Sequence, residues 1–280
     1  MNTLISPLQL AGLLERGAVT VFDCRFSLAD VEAGARAYAE GHIPGAHYVH
    51  LNNDLSAPHV PGKTGRHPLP PRHEWIQRAL RWGLHPERQV VVYDDAGGSI
   101  AARLWWMLQW IGHEHVAVLD GGIQAWQRAG LPLTQEVPPA PAPAEDRYAD
   151  LQPLVTQVLT SAVDGARQVL LDARDPARYR GEVEPIDPVA GHIPGAINSP
   201  FSENLNADGT FRSKQELERK FEYAAYSFLP VVCYCGSGVT ACHNILAMKH
   251  AGLMVPVLYA GSWSEWVADP SRPVAKGAQA

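Results

Sequence analysis

The hexapeptide GHIPGA occupies residues 41–46 and recurs unchanged at residues 191–196. An identical stretch at an offset of 150 residues makes the chain two copies of one unit, so its surroundings can be read in pairs. Upstream, VTVFDCR (19–25) matches VLLDAR (169–174), two apolar runs closing on an acid, Asp23 and Asp172. Runs this continuously apolar suit strands buried on both faces. Downstream, QVVVYDD (89–95) matches PVVCYC (230–235), each followed by a helix-like segment. A last pair, VAVLDGGIQAW (116–126) and VPVLYAGSWSEW (255–266), reads as strand, glycine turn and a helix carrying an inward tryptophan.

Strands alternating with helices over more than a hundred residues per copy predict an α/β protein of two tandem domains, each a parallel sheet with helices on both faces. Between the copies, EVPPAPAPAEDR (136–147) is rich in proline and alanine and lacks apolar periodicity, as in a semi-rigid linker. The expected division is a first domain over 1–135, a linker over 136–150 and a second domain over 151–280.

A chain of 280 residues with 46 % hydrophobic content can fill two modest cores. Its 23 basic and 29 acidic residues give a net charge of -6 without long runs of either sign, which speaks against nucleic-acid and anionic-membrane partners. The opening MNTLISPLQLAGLLERG has no basic stretch leading into a long apolar run, and no later segment reaches the roughly 18 apolar residues of a membrane span. A soluble, cytoplasmic protein is the expectation. Residues from Ala268 onward read as weakly ordered, and the histidines lack metal-ligand spacing.

Of the four cysteines, too few for a disulfide scaffold, three fall in VVCYCGSGVTACHNILAMKH (231–250). Here a buried-type strand ends at Cys235 and a helical pattern starts near Val239, with Ala241, Ile245 and Met248 on one face. The intervening Gly236, Ser237 and Gly238 let successive backbone N–H groups turn inward, and the helix start adds its positive end. Such a loop favours an anion at its centre. A free thiol ionises near pH 8.5, and one at a helix N-terminus at roughly 3.5–7.5, which makes it a nucleophile at neutral pH. The alternative for Cys235 is a small buried hydrophobe, against which the glycines flanking Ser237 argue. Cys233, Cys242 and Cys24 read as core residues, a redox role beside Cys235 being the alternative for the first two.

Other chemistries fit less well. Cys233, Cys235, Cys242 and His243 lack the paired knuckles of a structural zinc site. A cysteine phosphatase needs an arginine six residues after its nucleophile, where this chain has Ala241. Gly62-Lys63-Thr64 resembles the end of a P-loop, but the glycine required five residues earlier is Ala57. Ser237 does not stand in G-x-S-x-G.

The doubled GHIPGA, the paired D-G-G-x-x-x-W and A-G-x-x-x-x-W endings and Cys235-Gly236-Ser237-Gly238-Val239-Thr240 resemble the rhodanese family over nearly the whole chain, specifically its tandem-domain sulfurtransferases. The resemblance implies a catalytic second repeat and a first repeat without the cysteine, where Asp94 takes its place because Tyr93 aligns with Tyr234. The CGSGVT loop is similar to that of the 3-mercaptopyruvate sulfurtransferases, whereas thiosulfate-preferring members carry basic side chains there.

By that resemblance Cys235 carries a persulfide cradled by Gly236, Gly238, Val239 and Thr240, Ser237 relays a proton, and Arg178 of D-P-A-R-Y-R-G grips the donor's carboxylate. The stretch after Arg180 has no second arginine where those enzymes carry one. His67, in K-T-G-R-H-P-L-P (63–70), matches the family's H-x-L-P histidine, and Asp54 is the accompanying acid by rough alignment. A bracing role in the proline-rich loop is the alternative for His67. The implied partners are a small-molecule sulfur donor and a thiol or cyanide acceptor, with a thioredoxin-like protein as one candidate; no cofactor and no metal are implied. A thiosulfate sulfurtransferase and a persulfide carrier delivering sulfur to a protein partner stand as alternatives, with a phosphatase or arsenate reductase behind them.

Overall fold

The computed structural model describes residues 3–278. They divide into two compact units, one built from residues 3–56, 70–154 and 207–211, the other from residues 57–69, 155–206 and 212–278.

The first unit runs β1 (Leu4–Ile5), α1 (Pro7–Glu15), β2 (Val19–Asp23), α2 (Ala33–Glu40), β3 (Ala46–Tyr48), α3 (Arg72–Arg81), β4 (Gln89–Tyr93), α4 (Ala101–Trp110), β5 (Val116–Leu119) and α5 (Gly122–Arg128). Its sheet has the order β1-β5-β4-β2-β3, every pair parallel. Val19 and Val21 of β2 and Val91 and Tyr93 of β4 share one core with Leu10, Ile123 and Trp126. Phe22 points the other way, against Trp82, which in turn meets Trp75 of α3. Both faces of the sheet are thus covered, as the unbroken apolar runs require. Helix α1 starts on a capping box between Ser6 and Gln9 with Pro7 at its first position. Residues 136–150 form no helix or strand and lie in this unit, where Tyr148 is buried against His113 and the Ala144 N–H donates to the Leu80 carbonyl.

The second unit repeats the plan with β6 (Val169–Asp172), α6 (Pro176–Arg180), β7 (Ile197–Asn198), α7 (Lys214–Ala225), β8 (Val231–Tyr234), α8 (Ala241–Ala251), β9 (Val257–Leu258) and α9 (Ser262–Trp266). The order is β7-β6-β8-β9, again all parallel, and a single bridge from Gln157 to Leu258 stands where the first unit has β1. Leu170, Val232, Tyr234, Tyr259, Trp263 and Trp266 form one core, while Cys233 lies on the other face of β8. Helix α8 is buried on all sides from Ala241 to Met248 rather than along one stripe, because it packs within the unit like a core element. Residues 269–278 are more ordered than their composition suggests. Ala275 bridges to His192, and the Pro273 carbonyl accepts from the Trp266 indole.

The repeated hexapeptide is a brace for the strand ends. His42 stacks on Tyr38 and His192 on Tyr179, each at 3.8 Å between ring centroids. Arg25 pairs with Asp23 and donates to the Gly41 carbonyl, and Arg174 does the same with Asp172 and Gly191. The N–H groups of Ile43 and Ile193 donate to the hydroxyls of Tyr93 and Tyr234. These buried pairs fix the last residue of β4 and of β8, from which the next loop starts. Removing one partner of such a pair costs about 3–5 kcal/mol. No helix among the described residues is long and apolar enough to cross a membrane.

Candidate active site

Strand β8 stops at Tyr234 and α8 begins at Ala241, so Cys235 stands at the head of the turn and Thr240 is the N-cap residue of α8. The turn is tightly held. The Cys235 carbonyl accepts from the Trp263 N–H at 3.0 Å, the Gly236 carbonyl accepts from the Ser264 N–H at 2.9 Å, and the Cys235 N–H donates to Ser262 Oγ at 3.1 Å. Ser262 itself has φ 57°, a left-handed conformation that costs a residue with a side chain roughly 1–2 kcal/mol. Such strain persists only where the surroundings enforce it, and here it aims the Ser262 hydroxyl at the Cys235 N–H.

Within the turn the Gly238 N–H points at the sulfur, 3.2 Å from Cys235 Sγ. Gly238 has φ 76°, and a Cβ there would lie 2.2 Å from the Ala260 carbonyl oxygen, so only glycine allows this donor to face inward. The Gly238 carbonyl in turn accepts from the Cys242 thiol at 3.4 Å. Cys235 is 2 % exposed, and Val239 and Ser237 are also buried. Burial pushes the thiols of Cys24 and Cys233 up, which keeps both protonated and unreactive at neutral pH. No group of three or more His, Cys, Asp or Glu side chains among the described residues is placed to hold a metal ion.

The 57–69 segment belongs to the same compact unit as the turn. It brings His67 Nδ1 to 2.7 Å from Ser237 Oγ, both side chains being buried. Asp54 lies in the other unit, where its carboxylate accepts from the His50 N–H at 2.8 Å and its carbonyl accepts from Arg78.

Arg178 is partly buried and held by two acids, Glu184 at 2.6 Å and Asp187 at 3.2 Å. Burial pushes Glu184 up, but hydrogen bonding from Arg178 and from backbone N–H groups outweighs it and leaves the carboxylate below its ordinary range. For Asp187 burial wins over the attraction of Arg66 and keeps it above the ordinary value. Arg180, by contrast, pairs with Glu182 at the surface.

Three contributions escaped the reading of the sequence. Arg66 pairs with Asp187 and reaches the turn: a Cβ on Gly236 would lie 2.9 Å from Arg66 Nη2 and 3.6 Å from Arg178 Nη1. Two guanidinium groups therefore flank the residue after the cysteine. Asp187 and Ser262 are the others. Arg66 is adjacent to His67 in a stretch already singled out, whereas nothing in A-G-S announces a left-handed serine.

The first unit carries the same turn with a different centre. The Asp94 carbonyl accepts from the Ile123 N–H at 3.0 Å, as the Cys235 carbonyl does from Trp263, which makes the two residues structural equivalents. The Asp94 carboxylate accepts four backbone N–H groups, from Ala96, Gly98, Ile100 and Ala101, at 2.8–2.9 Å. A turn of this build holds an anion.

Comparison with known proteins gives the same answer. The rhodanese-like domain matches residues 6–129 and again 155–269. The chain is 50 % identical over 279 residues to a Pseudomonas aeruginosa protein named "Probable 3-mercaptopyruvate sulfurtransferase", covering 98 % of each. It is 42 % identical over 280 residues to "Putative thiosulfate sulfurtransferase SseB" of Mycobacterium tuberculosis, covering 99 % of this chain and 98 % of that one. Among solved structures, 3-mercaptopyruvate sulfurtransferase from Leishmania major superposes with a TM-score of 0.83 at 34 % identity, over 95 % of this chain and 74 % of that one. With both repeats matched, each built on a parallel sheet with an equivalent turn after its central strand, the chain belongs to the rhodanese-like family as a tandem-domain member.

Proposed function

We propose that the protein is a sulfurtransferase that moves a sulfane sulfur from 3-mercaptopyruvate to a thiol or cyanide through a persulfide on Cys235. The observation that carries this reading is the turn itself: a lone sulfur at a helix start, faced by the Gly238 N–H, one residue from a Ser237–His67 hydrogen bond. The catalytic work lies in 151–280 with His67 supplied from the 57–69 segment, and 1–135 contributes no nucleophile of its own. Cytoplasmic location and a thioredoxin-like acceptor complete the proposal.

In the first half-reaction the Cys235 thiolate attacks the donor sulfur, a sulfur–sulfur bond forms, and the sulfur–carbon bond breaks. The electron pair of that bond stays on carbon as the enolate of pyruvate. The donor's thiol proton is relayed to that carbon, so pyruvate leaves and a persulfide anion remains. Ser237, hydrogen-bonded to His67, stands where such a relay is needed. Backbone N–H groups of the turn stabilise the persulfide, as four of them stabilise the Asp94 carboxylate in the sister turn. Arg178 fixes the donor's carboxylate. In the second half-reaction the acceptor attacks the outer sulfur and the Cys235 thiolate is regenerated, so initial rates should follow a ping-pong pattern.

A thiosulfate sulfurtransferase is the second reading, favoured by the 42 % identity over 280 residues to the Mycobacterium tuberculosis protein named "Putative thiosulfate sulfurtransferase SseB". Measuring kcat/KM for 3-mercaptopyruvate and for thiosulfate side by side with cyanide as common acceptor decides between them. A higher value for 3-mercaptopyruvate is expected, and a higher value for thiosulfate would reverse the assignment.

A further inference from the structure

Resting on the sulfurtransferase reading above, we propose that Arg66 is a donor-binding and specificity-determining residue, one of two arms that grip the carboxylate of a 2-oxo acid donor, with Asp187 as the residue that positions it. Residues 181–196, which follow Arg180 and run to the end of the second hexapeptide, contain no arginine but do contain Glu184 and Asp187. The structure shows what those acids do. One oxygen of Asp187 binds Arg66 Nη1 and the other binds Arg178 Nη2 at 3.2 Å, so a single buried carboxylate sets the separation of the two guanidinium groups. Each guanidinium has five N–H donors in a planar fork: Arg178 spends Nε and Nη2 on Glu184 and Asp187 and keeps Nη1, while Arg66 spends Nη1 on Asp187 and keeps Nε and Nη2 for an incoming carboxylate. Arg66 Nε is buried without a hydrogen-bond partner among the described residues, and Nη2 faces the Gly236 position.

The backbone of Arg66 is placed by the scaffold that places the nucleophile. Its N–H donates to Ser264 Oγ at 3.1 Å, while the Ser264 N–H donates to the Gly236 carbonyl. Gly65 sits so close to Gly261 that a Cβ would lie 2.4 Å from the carbonyl oxygen, which pins the segment. Arg66, Arg178, Glu184 and Asp187 together carry no net charge. A neutral cluster rich in N–H donors suits a monocarboxylate held by directed hydrogen bonds, whereas a small dianion such as thiosulfate gains most from uncompensated positive charge.

The test is the steady-state KM and kcat of wild type, Arg66→Gln, Arg66→Lys and Asp187→Asn with 3-mercaptopyruvate and with thiosulfate, cyanide being the acceptor. Arg66→Gln is expected to raise KM for 3-mercaptopyruvate about tenfold or more, the effect of losing a charge-assisted hydrogen bond, with kcat changed much less. Arg66→Lys should recover part of the loss, and it carries the test if the glutamine variant does not fold. Asp187→Asn, which leaves the cluster with a net positive charge, should shift kcat/KM several-fold toward thiosulfate. An unchanged KM in both Arg66 variants, or a loss of kcat alone, overturns the assignment, as does an Asp187→Asn variant with the wild-type donor ratio. Mass spectrometry of the wild-type protein after donor treatment separates the two levels: no sulfur on Cys235 defeats the sulfurtransferase reading itself, while sulfur on Cys235 with an unchanged Arg66→Gln KM defeats only the role of Arg66.

Discussion

The turn at Asp94 and the turn at Cys235 follow equivalent strands, yet one is closed on itself and the other carries a thiol. In the first, a fixed carboxylate takes four backbone N–H groups and satisfies the turn internally. In the second, a sulfur takes the Gly238 N–H, and the backbone supports of the turn come from Ser262, Trp263 and Ser264 rather than from the cysteine side chain. The same contrast recurs one strand further on, where Gly122 at φ 58° in the first unit corresponds to Ser262 at φ 57° in the second. The glycine accepts the left-handed conformation freely. The serine bears its strain and uses its hydroxyl to hold the Cys235 N–H. The two repeats thus carry equivalent turns, one closed on a carboxylate and the other, in the proposed reading, open for chemistry.

The largest effect should come from making the second turn a copy of the first. Cys235→Asp, like Cys235→Ser, should lower sulfur transfer by at least about a thousandfold, because the nucleophile is lost. The aspartate variant should retain its fold, checked by circular dichroism and urea unfolding. Next comes the reverse injury: Asp94→Ala leaves several N–H donors without their acceptor, each worth about 1–3 kcal/mol when buried, so a loss of roughly 3 kcal/mol in urea unfolding is expected. Loss of less than about 1 kcal/mol would show that the carboxylate is not a structural anion.

A third difference lies just after α4 and α8, where the first unit has His113 and the second has Leu253, each N–H closing the preceding helix. Burial pushes His113 down to about 4 from an ordinary value near 6.5. The unfolded chain therefore binds the extra proton first, and stability falls as pH drops from about 6.5 toward 4, by an amount on the order of 3 kcal/mol across the window. Hydrogen exchange at pH 7 and pH 5 should show the first unit loosening more than the second, and His113→Leu should remove the difference. Ser237→Ala should lower kcat for 3-mercaptopyruvate roughly a hundredfold, within the usual range for proton relays, and affect thiosulfate less because that donor needs no protonated carbon. Smallest is Ser262→Gly, which relieves the left-handed strain but drops the hydroxyl. Stability should change by no more than about 1 kcal/mol while the rate of sulfur loading falls.

Much of this was legible beforehand because it rests on local pattern. The hexapeptide pair located both sheets, and the run into Cys235 with its glycines marked the turn. The sequence could not place Arg66 or rank its contribution, since that residue precedes Cys235 by well over a hundred positions and joins it only through the packing of the 57–69 segment. Ser262 was opaque for a different reason: its strain belongs to backbone geometry that tertiary contacts enforce. The all-round burial of α8 likewise reflects packing on several sides, which a one-face pattern does not encode.

The most direct test of the account is intact-protein and peptide mass spectrometry after incubation with 3-mercaptopyruvate. One added sulfur atom on the peptide containing Cys235, and none in Cys235→Ser, is the expected result; sulfur on Cys24, Cys233 or Cys242, or its retention in Cys235→Ser, would contradict the claim that only the second turn carries the chemistry.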